Sequence, residues 1–187
     1  PTVLDAHRAV ILTSAGLVAQ AKTMMAQYRK HFDIRKDIHW LSYGLLSSSK
    51  SSSILEKIRP ELIISDECQA LSSGHSARVK RFIRYMKAHP ETLFCAMSGS
   101  ITKRSLRDYE HLLRLALKTR SPLPRSWPIL TEWSEAVDGH RNDVAFRPPG
   151  ALLELLKDTP PPAVAPSATP LAKARYAVRR RITDTVG

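Results

Sequence analysis

Leu62–Leu71 reads LIISDECQAL, an apolar run that ends abruptly in two adjacent carboxylates, Asp66 and Glu67. A short run of branched apolar residues followed by polar ones reads as a buried strand, so both carboxylates should stand at its tip. Three other stretches have the same character: RAVILTS (Arg8–Ser14), DIHWLSY (Asp37–Tyr43) and TLFCAMSGS (Thr92–Ser100). Longer amphipathic stretches separate them. In AGLVAQAKTMMAQYRKHF, Leu17, Val18, Ala21, Met24, Met25 and Tyr28 share one helical face. SSSILEKIR closes a second helix, and SARVKRFIRYMKAH places Val79, Phe82, Ile83 and Met86 on one side with five cations around the rest. Ser105, with Asp108 three residues on, forms a capping box that opens LRDYEHLLRLALK. Strand and helix alternate four times. That pattern predicts an α/β fold with right-handed crossovers and a mainly parallel sheet covered on both faces.

The 187 residues are 43% hydrophobic, enough for a domain with a real core, and the formal net charge is +12. Such a charge favours a polyanionic partner, nucleic acid or a phosphorylated ligand, over a neutral one. Cys68 and Cys95 are the only cysteines and each lies in an apolar stretch, which argues against a disulfide framework and fits a reducing compartment: cytoplasm, nucleoid or nucleus. No apolar run approaches the roughly 20 residues that span a bilayer, so no membrane partner is expected. His39, His75 and His111 have no metal-ligand spacing with the cysteines, and no zinc site is expected.

Residues 1–120 read as one α/β unit. Residues 121–157 form an irregular or helical extension, 158–170 a Pro-rich linker or loop (DTPPPAVAPSATP), and 171–187 a basic helix with Lys173, Arg175, Arg179, Arg180 and Arg181.

In an open parallel sheet the carboxyl ends of the strands share one edge, where ligands bind. The four ends here are Thr13-Ser14, Ser42-Tyr43, Ser65-Asp66-Glu67 and Ser98-Gly99-Ser100. One polar strand end is ordinary, because Ser and Asp often cap the next helix. Four on one edge point to a shared polar site. Adjacent carboxylates suit a Mg²⁺–nucleotide site, Asp66 holding the hydrated metal and Glu67 orienting and deprotonating a water.

These stretches resemble the motifs of superfamily 2 helicases and translocases. LIISDECQAL is similar to motif II, the DEAD/DEAH-type Walker B box, and MSGSITKRS (Met97–Ser105) to motif III. LTSAGLVAQAKTMM (Leu12–Met25) resembles motif Ia. LSYGLL (Leu41–Leu46) and SGSITKRSLRDYEHLLRLAL resemble segments of the chromatin-remodelling-type ATPases. The resemblance covers residues from about 8 to 118 and implies a RecA-like three-layer αβα sandwich with ATP and Mg²⁺ as cofactors. Asp66 would coordinate Mg²⁺ through water, and Glu67 would be the catalytic base. Gln69 would link the nucleotide site to motif III, with Ser98, Gly99 and Ser100 carrying the coupling. Thr13, Ser14, Gly16, Ser42, Tyr43, Lys103 and Arg104 would lie along nucleic acid, by analogy double-stranded DNA. The box reads D-E-C-Q where DEAD or DEAH is usual, and Ser100 stands where Thr is commoner.

A hydrolase of this kind also needs G-x-x-x-x-G-K-[ST], whose amides and lysine cradle the phosphates. No glycine in this sequence is followed by lysine; Gly16, Gly44, Gly74 and Gly99 stand singly. The chain is therefore expected to be a fragment of a first motor domain, without its phosphate loop or the second RecA-like domain, and to hydrolyse ATP poorly alone. The alternative is a non-catalytic nucleic-acid-binding or scaffold module that kept the fold. A metal nuclease using Asp66 and Glu67 is opposed by Gln69, which stands where such sites place a lysine.

Three tryptophans complete the inventory: Trp40 reads as core, while Trp127 and Trp133 border the irregular stretch and are open to base stacking. The basic stretch Ser76–His89 suits either DNA or solvent.

Overall fold

The computed structural model describes residues 6–34, 37–72, 74–99, 105–138 and 169–186. The chain divides into two compact units, 1–99 and 100–187.

In the first unit, the four expected strands form at β1 (Ala9–Thr13), β2 (Ile38–Ser42), β3 (Leu62–Ser65) and β4 (Leu93–Ala96). They make one sheet of order β2-β1-β3-β4, and every pairing is parallel. Helices α1 (Ala15–Tyr28), α2 (Tyr43–Ser47), α3 (Ile54–Ile58) and α4 (Ala77–Ala88) connect them. The step from β1 to β2 runs one way across the sheet, whereas β2 to β3 and β3 to β4 run the other way. Right-handed crossovers therefore put α1 on one face and α2, α3 and α4 on the opposite face. In keeping with this, α2 packs on α4 and α1 packs on β2. The result is a three-layer α/β sandwich.

The core lies on the α4 side. Val10, Leu12, Ile63 and Phe94 alternate inward along their strands and are buried, as are Val79, Phe82 and Met86 of α4. Phe82 and Phe94 pack as a tilted ring pair with centroids 5.0 Å apart. Fully burying side chains of this size stabilises by about 1.5–3 kcal/mol each. The α1 side is thinner. Ile11 and Ile64 are half-buried there, and Leu93 and Cys95 are exposed. The expected apolar face of α1 divides: Val18, Ala21 and Met25 are half-buried, whereas Leu17, Met24 and Tyr28 are exposed. The helix sits over β2, an edge strand, so part of its apolar stripe overhangs the sheet.

On α4, Ser76 caps the first turn by accepting from the Val79 N–H, and Tyr85 is buried where Ile83 is only half-buried. Arg81 donates to the carbonyls of Leu46 and Ser48, and Arg84 to Ser52 O and to Glu56. Two of the five cations that leave α4 open to a DNA reading thus hold the connection between α2 and α3.

The second unit contains α5 (Leu106–Leu117), α6 (Trp127–Val137) and α7 (Pro170–Val186). Its core joins Leu106 and Leu113 of α5, Leu123, Leu130 and Trp133, and Ala174, Ala177 and Val178 of α7. α5 packs with α6, and its Leu106 and Leu113 share this core with Ala174, Ala177 and Val178 of α7. The basic terminal helix forms at 170–186, one face lined by small apolar residues and the other by cations. α6 begins at Trp127, and Pro128 sits in its first turn, where a missing N–H costs nothing. At the start of α5, Ser105 Oγ accepts from the Arg107 N–H, while the Leu106 N–H is met by Asp138 at 3.4 Å. A carboxylate from the end of α6 thus takes a capping role at α5. The linker expected at 158–170 lies outside the described residues up to 168.

Candidate functional site

The chain reverses direction across the sheet between β1 and β3, and crevices at such switch points open at the carboxyl ends of the strands. There Thr13, last residue of β1, donates its hydroxyl to Asp66 Oδ2 at 3.2 Å. The Asp66 N–H continues the ladder by donating to Leu12 O at 2.9 Å. Asp66 is thereby fixed from two sides by the neighbouring strand.

Tyr43 reinforces the corner from within. It opens α2 immediately after β2, is 6% exposed, and donates its hydroxyl to Asp66 O. With that proton committed, the Ser65 hydroxyl is the donor in the 2.7 Å contact between Ser65 and Tyr43. Burial pushes the Tyr43 phenol up to about 12, so the ring stays neutral. Resemblance places Tyr43 beside nucleic acid; the structure commits its hydroxyl inside the unit, bracing the turn that carries the carboxylates.

Glu67 has φ 55 and ψ 55, the left-handed region that a side chain other than glycine rarely adopts. The surrounding bonds hold it there. Cys68 N–H donates to Met97 O at 2.9 Å, Ala70 N–H donates to Glu67 O at 3.0 Å, and Gln69 Nε2 donates to Glu67 Oε2. Ser98, just beyond β4, donates its hydroxyl to Gln69 Oε1 at 2.8 Å. A relay of Ser98, Gln69 and Glu67 therefore links the end of β4 to the turn after β3. Strain of this kind, of order 1–3 kcal/mol, persists where surrounding structure over-determines the backbone and clusters at functional sites.

The remaining predicted positions divide. Ser14 and Gly16 are exposed at the start of α1, close in sequence to Thr13, which is itself buried. Ser42 caps α2 by accepting from the Leu45 N–H at 3.4 Å. Gly99 is described, with open space where a side chain would begin. Ser100, Lys103 and Arg104 lie outside the described residues. The edge thus brings together Thr13, Asp66, Glu67, Gln69 and Ser98. Sequence reading missed the Tyr43–Ser65 brace; the signal for it is a tyrosine directly after a strand, in a segment whose next helix starts without a loop.

Among the described residues no three His, Cys, Asp or Glu side chains form a metal cage. What the edge offers a cation is two adjacent carboxylates, a donor type that suits Mg²⁺ better than zinc. The phosphate side does not match a nucleotide, since the sequence contains no Gly-Lys pair to build a cradle. These residues fit the metal end of a nucleotide site and not its phosphate end. The buried Cys68 thiol, pushed by burial up to about 11, is unreactive packing beside this edge.

No family model matches the chain, and no curated protein matches it. Among the described residues no helix is long and apolar enough to cross a membrane.

Proposed function

We propose that the protein is part of an ATP-dependent nucleic-acid helicase or translocase of the superfamily 2 type, with residues 1–99 carrying the motif-bearing portion of its first motor domain. The observation that carries this reading is the relay from Ser98 through Gln69 to Glu67, beside an Asp66 held by Thr13. Motif resemblance assigns those residues coupled roles, and the contacts of Ser98 with Gln69 and of Gln69 with Glu67 support that reading. Asp66 is the residue to hold hydrated Mg²⁺, and Glu67 the base for water activation. ATP supplies the driving free energy when bound; this chain's residues position the metal side and pass its state to the end of β4. The phosphate cradle must come from residues beyond this sequence, so the chain alone is expected to hydrolyse ATP poorly. Duplex DNA is the preferred partner of this edge, in a reducing compartment.

The lack of a Gly-Lys pair favours one second reading, a nucleic-acid-binding or scaffold module that keeps the fold without hydrolysis. Nucleic-acid-stimulated ATP hydrolysis by the full-length protein, compared with its Glu67→Gln variant, separates the two. Activity that depends on nucleic acid and collapses in the variant supports the motor. Activity that survives the substitution, or none in a protein bearing a phosphate loop, rules it out.

A further inference from the structure

The second unit carries its own candidate surface. From His111 to Ile129 the sequence contains no acidic residue but four cations, Arg114, Lys118, Arg120 and Arg125. Folding concentrates them further. Arg181, from the far end of α7, donates its Nε–H to Pro122 O at 3.0 Å, and Arg114 reaches Arg125 O at 3.4 Å. Two guanidinium groups are thereby planted on the same short connection that already displays Arg120 and Arg125, both exposed. The acids are engaged or further along: Glu110 pairs with Arg114, Asp184 with Arg180, Asp138 caps the opposite end of α5, and Glu132 and Glu135 follow the first turn of α6. At the end of this cationic connection, where α6 opens, Trp127 stands 61% exposed, the most open of the tryptophans. Trp133, six residues on, is buried in the core and has no such freedom.

We propose that the α5–α6 connection, with Arg181 of α7, binds single-stranded nucleic acid: Arg120, Arg125 and Arg181 face the phosphates and Trp127 stacks on a base. Cations alone would serve any polyanion. An exposed indole among them adds the sequence-tolerant stacking typical of single-strand binding, since every base offers a π-face while a duplex hides its own. This surface belongs to the second unit, the carboxylate edge to the first.

The test uses the full chain and an unstructured oligothymidylate of about 15 nucleotides, following intrinsic tryptophan fluorescence at low salt. Quenching on binding is expected, along with binding that weakens steeply as salt rises. Trp127→Phe should keep binding, read by anisotropy of a labelled oligonucleotide, but lose most of the quench; Trp40→Phe should keep both. Trp127→Ala should weaken binding by about tenfold. Arg120→Ala with Arg125→Ala should weaken it further and flatten the salt slope by roughly 0.7 per contact removed. Because the three side chains are exposed, none of these variants should alter the far-ultraviolet spectrum. Quenching that survives Trp127→Phe, or affinity unchanged in Trp127→Ala with duplex or heparin bound as tightly, would overturn the proposal and leave a non-specific cationic face.

Discussion

Ser98 and Gln69 lie 29 residues apart, yet the serine hydroxyl donates to the glutamine side-chain oxygen at 2.8 Å, and the same amide turns its nitrogen to Glu67. One amide thus reads the end of β4 and sets the carboxylate after β3. Its two bonds define how Glu67 is aimed.

Breaking that relay should cost little stability and alter the site. Ser98→Ala removes one partly buried hydrogen bond, about 0.5–1.5 kcal/mol by urea denaturation. Gln69→Ala should cost a similar amount, and the double variant less than the sum, because both substitutions remove the same contact. Strict additivity would mean that the two side chains do not interact in solution.

Glu67 sits in a backbone conformation that glycine adopts freely. Glu67→Gly should therefore leave thermal stability unchanged or slightly raised, whereas Glu67→Val should lower it by about 1–3 kcal/mol. Equal loss in both variants would show that the left-handed turn is not retained in solution.

Tyr43 links stability to alkaline pH. Its folded pKa, about 12, lies above its ordinary 10.0, because burial disfavours the phenolate. The contribution is fully present below about pH 10 and is lost as pH rises to about 12, some 2–3 kcal/mol in all. Cys68, raised by burial from 9.0 to about 11, adds a similar fall beginning lower. Tyr43→Phe should be less stable at neutral pH by about 1–3 kcal/mol, since it leaves the Asp66 carbonyl and Ser65 hydroxyl without this partner. It should also fall less between pH 10 and 12. Parallel pH–stability curves for the two proteins would contradict the brace.

Asp138 carries the same sign as Tyr43, opposite to that of an ion-paired carboxylate. Burial raises its pKa above the ordinary value, so the second unit is favoured at low pH and loses that contribution as pH rises through the folded pKa. Asp138→Asn keeps an acceptor for the Leu106 N–H and removes the buried charge. Its stability at pH 7 should match or exceed that of the parent, with a flatter acid-to-neutral profile in thermal unfolding. A variant clearly weaker at pH 7 would show that the charge itself is needed at the cap.

Val178 tests the docking of the basic helix. It is 1% exposed in the core of the second unit. Val178→Asp buries an unpaired charge and should cost about 3 kcal/mol or more, releasing residues 170–186 to limited proteolysis while an exposed substitution, Arg179→Asp, does not. Protection unchanged in Val178→Asp would place the helix elsewhere.

The sequence by itself determined the strands, their parallel sense and the layer count, because short branched apolar runs separated by amphipathic ones leave few ways to bury both faces of a sheet. It also delivered Asp66 and Glu67 to a strand tip, since a carboxylate cannot continue a buried strand. What only tertiary structure decided was which distant groups meet. Ser98 on Gln69, Tyr43 under Asp66, Arg81 on the carbonyls at the end of α2, and Arg181 on Pro122 each span 23 to 59 residues. No local pattern encodes these pairings, because hydrogen-bonding side chains reach whatever the crossovers bring near. The same holds for α5: its amphipathic stripe announced a helix, but a stripe does not name its partner, and Leu106 and Leu113 found theirs in α6 and α7.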